Sequence, residues 1–485
     1  MRYYGKKLVK KYAELAMPVK ASMWFAICNI LQKGISFITV PIFTRIMSTE
    51  QYGVYSVYQS WYSIISIFAT LNLYYGVFNN GMIKYANERD KFISSIQGLS
   101  TTITIFLFVI YNVNREFWNI FLGLSSVYIY AMFIELLFVP AYMYWSARQK
   151  YEYKYKALVI VTMIIALGSP SLGVLKVLST SYKAEARVLS FVFVQACIGL
   201  VFYIYNCWKG KKFFSKDIWK YALFFNLPLV PHYLSQTVLN AADRIMISNM
   251  VGSEKAAIYS VAYNISQMMV LVTNAISNSF VPYTYNSLKV KKYDDLKRNS
   301  TVLLAFVAIA TVLVMCFAPE IISIFGPKEY KEAIWVIPPV SVSVFLMFLY
   351  SMFGNIEFYF ERSRYMMWAS MCGAVLNIIL NYLLIKIFGY IAAGYTTLMC
   401  YTLFVTLHYI FYKKTLKDNS ISSDTVYNNK FFFFITIMMI ALVGLMNILY
   451  INSILRYIFI AVSLIIIFIN RKFIVEKLKT IITNH

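Results

Sequence analysis

Ionisable side chains are scarce inside the apolar runs of this sequence, and each one found there is a candidate for chemistry. Lys33 falls near the middle of the run Ala21–Thr44. A charge in a hydrocarbon-like medium is costly, so such a lysine either serves a function or snorkels to an interface or a nearby carbonyl. Arg45 and Arg244 sit at the ends of two similar stretches, Thr44-Arg45-Ile46-Met47 and Asp243-Arg244-Ile245-Met246. The spacing that carries Arg45 onto Arg244 also carries Lys33 onto His232, which makes a set of four bases in two matched pairs. A guanidinium fork binds phosphate in bidentate fashion, so the set suits a phosphate or pyrophosphate group. The bland alternatives are interfacial anchoring for the arginines, with Asp243 neutralising Arg244, and a satisfied interhelical hydrogen bond for His232. Glu135 is the carboxylate lying well inside a run; it is a candidate to carry a coupling proton or cation, or a structural partner for a lysine.

Nothing in the chain suggests bond-breaking chemistry. There is no GxxxxGK[ST] phosphate loop and no HExxH pair. The three histidines (His232, His408, His485) are isolated, and the six cysteines are scattered without a CxxC. The expectation is therefore no catalytic residue, no metal and no cofactor. Without a phosphate loop, direct ATP hydrolysis by the chain is not expected.

The elements that must position these residues are membrane spans. The chain is 60% hydrophobic and only 14% charged, with a net charge of +24; soluble domains average about 25% charged residues. A bilayer core needs about 20 apolar residues per helix. That ruler gives fourteen candidates, from Ala21–Thr44 to Leu455–Ile469, among them Val54–Tyr74, Trp118–Tyr142, Tyr221–Asn249, Ala256–Tyr283, Thr301–Phe325, Ala333–Ile356 and Ile391–Tyr412. With the N-terminus inside, 33 of the 45 Lys and Arg fall in inner segments and 11 in outer ones, Lys33 completing the sum. Such asymmetry is the positive-inside bias, and it predicts both termini on the cytoplasmic side. The basic charge thus reads as orientation and not as a nucleic-acid surface.

A second match, Tyr55-Ser56-Val57 with Tyr259-Ser260-Val261, follows the first in the same order six spans later. The sequence predicts two parallel six-helix repeats, an arrangement that places substrate at the repeat interface. Most of the 11 prolines lie in or at the edges of spans; Pro228 and Pro231 are the candidate flex points, where the missing N–H breaks the helical ladder. Tyr52, Tyr55, Tyr58 and Tyr62 recur at helical spacing, a candidate glycan-stacking face or an interfacial belt.

Pro41-Ile42-Phe43-Thr44-Arg45 with Glu50-Gln51-Tyr52-Gly53-Val54-Tyr55 resembles the first-loop signature of Wzx-type oligosaccharide flippases, members of the multidrug/oligosaccharidyl-lipid/polysaccharide (MOP) exporter superfamily. The stretch from Ala242 through Gly252 to Tyr263 and Pro282 is similar to that family's seventh and eighth spans. The resemblance implies an all-α integral membrane fold of about fourteen transmembrane helices, two MATE-like six-helix bundles plus two extra C-terminal helices. Its expected parts are a basic stub (1–20), an N-lobe (21–208), a linker (209–220), a C-lobe (221–412), a cytoplasmic loop (413–430) and a last helix pair with its tail (431–485). It further implies a cationic central cavity, a last pair that accommodates a lipid tail, and an undecaprenyl-pyrophosphate-linked oligosaccharide as substrate. A polysaccharide polymerase and a chain-length regulator are the implied partners, with membrane lipids, in the bacterial cytoplasmic membrane. Two alternatives stay open: a MATE-type multidrug/cation antiporter, which expects acidic residues in the cavity, and a polytopic enzyme of polysaccharide assembly, which expects a long catalytic loop.

Overall fold

The computed structural model describes residues 14–469. Most of the expected basic stub, and the tail beyond Ile469, lie outside the described residues. Every regular element among the described residues is helical. Ten of these helices are long and apolar enough to cross a membrane. Large apolar side chains such as Ile30, Phe224, Ile120 and Ile451 lie exposed around them. A soluble protein does not leave so much apolar surface in water, whereas lipid accommodates it. The protein is a multi-pass membrane protein.

The chain divides into two compact units, Met1–Thr237 and Val238–His485. In the first, α1 (Met17–Ile46) begins with a proline in its first turn and continues through Pro41. The stretch after it is short because α2 (Thr49–Thr70) starts at once on a capping box: Ser48 accepts from the N–H of Gln51, whose side chain accepts from the N–H of Ser48. Then follow α3 (Gly76–Lys84), α4 (Arg89–Val113), α5 (Arg115–Leu122), α6 (Ser126–Tyr151), α7 (Tyr155–Leu178) and α8 (Lys183–Gly210). The expected span from Trp118 starts late, because Gly123 turns left-handed (φ 61°) and separates α5 from α6. Helices α6 and α8 pack closely at Gly199, where a Cβ would lie 2.5 Å from the carbonyl oxygen of Phe138. Small residues at such contacts are the usual means of close helix approach in membranes. Asn206 ties α8 to both α4 and α6, donating to Gln97 at 2.8 Å and to the Ala141 carbonyl at 3.1 Å.

The expected span Tyr221–Asn249 is broken. Helix α9 (Lys216–Asn226) ends in a 3-10 turn at Leu227–Leu229, and α10 (Val230–Met250) resumes the path. Pro228 and Pro231 lack the N–H groups that an uninterrupted ladder needs. Asn226, at the end of α9, ties the break to the α2–α3 connection: its amide donates to the Leu71 carbonyl at 2.6 Å and accepts from the N–H of Val77 at 3.0 Å. The division between the units falls eight residues beyond this turn, after Thr237.

The second unit continues with α11 (Ser253–Ser266), α12 (Met268–Lys289), α13 (Tyr293–Cys316), α14 (Ala318–Phe325), α15 (Ile337–Tyr359), α16 (Ser363–Phe388), α17 (Ala392–Asp418), α18 (Ser423–Val426), α19 (Asn429–Ile451) and α20 (Ser453–Ile469). The expected span Ala256–Tyr283 is interrupted at Gln267, Thr301–Phe325 breaks before Pro319, and Ala333–Ile356 begins only at Ile337, with Pro338 in its first turn. Prolines explain the last two, since a helix start is where a missing N–H costs least. The core of this unit is aromatic: Phe353 packs against Tyr412 (5.1 Å between centroids), Phe432 (6.0 Å) and Tyr427 (6.1 Å). The last helix pair is fastened to it. Tyr450 donates to the Met315 carbonyl at 2.6 Å, and the buried Arg456 pairs with Glu320.

Candidate functional site

The buried polar groups gather in clusters, one set in each unit. In the second unit Asp243, on α10, is 1% exposed. Its carboxylate accepts from the Tyr259 hydroxyl, from Thr397 Oγ1 at 2.9 Å and from Asn381 Nδ2 at 2.6 Å. Asn381 is itself held by Thr396 and, at 3.3 Å, by Asn377. Helices α10, α11, α16 and α17 thus converge on one carboxylate. An arrangement of a single acid amid hydroxyl and amide oxygens can hold a proton or a hard cation, whose preferred ligands are oxygens. Arg244, the next residue, folds back to the Asn240 carbonyl at 2.7 Å and lies 4.4 Å from the ring centre of Tyr263.

In the first unit Glu135, on α6, is 1% exposed and accepts from the Tyr58 hydroxyl at 2.7 Å. Its partner is a tyrosine, not the lysine that sequence offered. Tyr58 is fully buried here, and Tyr52 is buried as well. Arg45 and Arg244 share a conformation. Each donates Nη1 to the carbonyl four residues earlier, Arg45 to Pro41 at 2.8 Å and Arg244 to Asn240 at 2.7 Å. Lys33 is exposed on α1. His232 is half-buried near the start of α10, and its Nδ1 has no hydrogen-bond partner. Both fall on the first-unit side of Thr237.

Three features escaped the sequence reading. The first is Arg187, counted there as an outer-segment charge. It is 7% exposed, with its guanidinium 3.6 Å from the ring centre of Phe43 and 4.8 Å from that of Tyr55. Its Nε and Nη1 are buried without a hydrogen-bond partner. The stack needs Gly173: a Cβ there would lie 2.7 Å from Nη1. Phe43 and Tyr55 both belong to the stretch quoted above for its family resemblance, so part of that signature is the platform under Arg187. The second is the ring of amides and hydroxyls around Asp243, whose members are uncharged and leave no trace in a charge map. The third is a buried pair of His408 and Glu357; sequence placed Glu357 just beyond a span and left His408 isolated.

Helices of membrane-crossing length built around buried polar clusters, in two units joined by proline-rich backbone, are the architecture of a membrane transporter. A family model described as "Polysaccharide biosynthesis protein" matches residues 19–287, and the chain belongs to that family. A second model, MatE, matches residues 228–383. The chain is 22% identical to the "Lsg locus putative protein 1" of Haemophilus influenzae over 370 residues, which is 74% of this chain and 88% of that protein. Among solved structures it resembles the lipid II flippase MurJ in an inward closed conformation, with a TM-score of 0.67 at 15% identity over 93% of this chain and all of that one. An outward-facing multidrug-resistance MATE transporter matches with a TM-score of 0.55 at 12% identity, covering 83% of this chain and 96% of that one. At these identities the structures speak for the fold, which is that of the MOP superfamily. The protein is an all-α MOP-superfamily transporter.

Proposed function

We propose that this transporter moves undecaprenyl-pyrophosphate-linked oligosaccharide units from the cytoplasmic to the outer leaflet, for cell-surface polysaccharide biosynthesis. The observation that carries this reading is the pair Arg45 and Arg244, basic residues at matched places in two repeats and held in one conformation by the same backward hydrogen bond. Paired bases serve an anionic pyrophosphate and repel the cations that a multidrug antiporter collects. The family match and the likeness to a lipid flippase point the same way.

In this reading the chain crosses the bacterial cytoplasmic membrane fourteen times with both termini cytoplasmic, and two lobes alternate access around a cationic cavity. Lys33 and His232 attract the pyrophosphate, Arg45 and Arg244 receive it, and the last two helices accommodate the lipid tail. Asp243 and Glu135 carry the coupling charge, and the turn at Pro228 and Pro231 is where the backbone flexes. The functional partners are a polysaccharide polymerase and a chain-length regulator.

The test is a deletion strain in which the leaflet of the lipid-linked glycan is determined. The expected result is accumulation in the cytoplasmic leaflet with intact assembly enzymes, relieved by the wild-type chain and not by Arg45→Ala or Lys33→Ala. Normal surface polysaccharide together with lost drug resistance would establish the antiporter instead.

A further inference from the structure

His408, on α17, and Glu357, near the end of α15, form a closed ion-pairing unit in the second unit. His408 Nδ1 and Glu357 Oε1 are 2.8 Å apart, and the two side chains are 0% and 1% exposed. The remaining polar atoms, His408 Nε2 and Glu357 Oε2, are also buried, and neither has a hydrogen-bond partner. Burying an ion pair is tolerable only when its leftover donors and acceptors are satisfied. Here one site on each member is left open, which a purely structural pair has no use for.

The surroundings are aromatic. Tyr350 stacks on the imidazole with 5.2 Å between centroids, Phe404 lies at 6.3 Å and Phe411 meets it edge-on at 6.4 Å. The titratable groups around the pair are Tyr350 from α15 and Tyr401 and Tyr412 from α17. Tyr365 of α16 stacks on Phe411, and Tyr427, between α18 and α19, stacks on Tyr412. Arg362 gives its backbone N–H to the Glu357 carbonyl but sends its guanidinium toward Asp418 at 3.4 Å. Lys413 and Lys414 lie against the rings of Tyr409 and Tyr365. Among the described residues no other acidic or basic side chain hydrogen-bonds to the pair.

One face of α17 links the pair to the carboxylate cluster. Thr397, Tyr401, Phe404 and His408 recur at helical spacing. Thr397 donates to Asp243, Tyr401 stacks on Tyr350 at 6.3 Å, and Tyr350 stacks on His408. The two ionisable sites are about 16 Å apart along the axis, from the 1.5 Å rise per residue.

We propose that His408 and Glu357 form a second proton-binding site, which takes up and releases one proton in each transport cycle. This rests on the transporter reading above and names its coupling ion. With one shared proton the pair is neutral, as imidazolium beside carboxylate or imidazole beside carboxylic acid. Uptake transfers a proton from hydronium to Glu357 Oε2 of the imidazolium–carboxylate form: one O–H bond of hydronium breaks, the Oε2–H bond forms, water departs, and the pair is left with one positive charge. Release returns that proton to water and restores neutrality. Because neither a net charge nor an unpaired atom is comfortable in this aromatic setting, the charged form favours a conformation that admits water.

The test uses the full chain in liposomes with undecaprenyl diphosphate bearing a fluorescent hexosamine, its leaflet read with a membrane-impermeant quencher. At fixed membrane potential, one coupled proton shifts the steady-state leaflet ratio about tenfold per unit of imposed pH gradient. Wild type is expected to show that shift, and H408Q, E357Q and the doubly neutral E357Q/H408N are expected to move the probe without it. The double variant replaces the pair by two hydrogen-bonding amides, which keeps a foldable form in hand. Wild-type movement that ignores the pH gradient overturns the inference and leaves the flippase reading standing. A wild type that does not move the probe sinks that reading, and an infrared titration then decides the pair alone. A protonated-carboxyl signal that changes with pH and vanishes in E357Q supports the site; its absence in wild type overturns it.

Discussion

The two units build opposite charges on one frame. In the first, α1, α2, α7 and α8 bring together Phe43, Tyr55, Gly173 and Arg187. In the second, α10, α11, α16 and α17 bring together Asp243, Tyr259, Asn381 and Thr397. Tyr55 and Tyr259 are the tyrosines that the internal repeat matches, and they are used in opposite ways. Tyr259 points its hydroxyl at a carboxylate, whereas Tyr55 turns its ring face to a guanidinium. In the repeat register Thr44 stands where the second unit has Asp243. The acid of the second cluster thus has an uncharged threonine at its matched place, and the buried cation of the first cluster comes from a different helix, α8. A carboxylate saturated by hydroxyl and amide donors can give up or gain an ion; a stacked guanidinium is always charged. The first cluster is built around a guanidinium stacked on aromatic rings, the second around a carboxylate ringed by hydroxyl and amide donors.

The largest expected effect separates the two. Asp243→Asn preserves the shape of its cluster and removes the charge. If that charge is exchanged during transport, export falls by about 5- to 150-fold, the usual range of coupling between sites, with the protein still present in the membrane. Unchanged export would mean that the two clusters are equally structural. Gly173→Ala probes the first unit: the new methyl intrudes on Arg187 and Phe43, and a loss of about 1–3 kcal/mol is expected from overpacking. Combining it with Arg187→Met should recover most of that loss if the stack is the cause, as a double-mutant cycle in thermal unfolding would measure.

Arg187→Met alone weighs two terms against each other. The stacking forfeited is about 2 kcal/mol for a desolvated cation over aromatic rings. The gain is relief of two unpartnered N–H groups at about 1–3 kcal/mol each. Stability is therefore expected to hold or to rise by up to about 4 kcal/mol, and a lowered unfolding midpoint would make the guanidinium a structural keystone. The smallest effect lies at the helix ends. Burial pushes the Glu152 carboxyl up, but hydrogen bonds from Lys154 and Arg148 and their charges more than reverse this and hold it below the usual range. A depressed carboxyl contributes stability above its unfolded value of about 4.3 and loses it as pH falls through the folded one. Glu152→Gln should cost about 0.3–0.5 kcal/mol near neutral pH and nothing in acid. Glu332 of the second unit, held low by Lys255 and Tyr390, should behave alike.

Much of this fold was legible because apolar length and charge bias are read residue by residue. The helix breaks were less so. Pro228 announced the break in the seventh span, whereas Gln267, an ordinary residue, gave no sign that a helix ends there. For the buried clusters the decisive information is pairing across distant segments. Arg45 and Arg244 could be matched because a tetrapeptide repeats, and Glu135 stood out as a charge inside a run. Arg187 did not, because it lies at a helix start, where an arginine reads as an anchor until Phe43 and Tyr55 are seen beneath it. Asn381 and Thr397 are uncharged, and only the fold delivers them to Asp243.

The attachment of the final helix also has a bearing on synthesis. Glu320 is synthesised long before the chain reaches Arg456, 136 residues later. At about 5–20 residues per second, roughly 7–27 s of translation separate the two. Through that interval Glu320 lacks the guanidinium that pairs with it, so the helices that carry the pair can be fastened together only after Arg456 has been made.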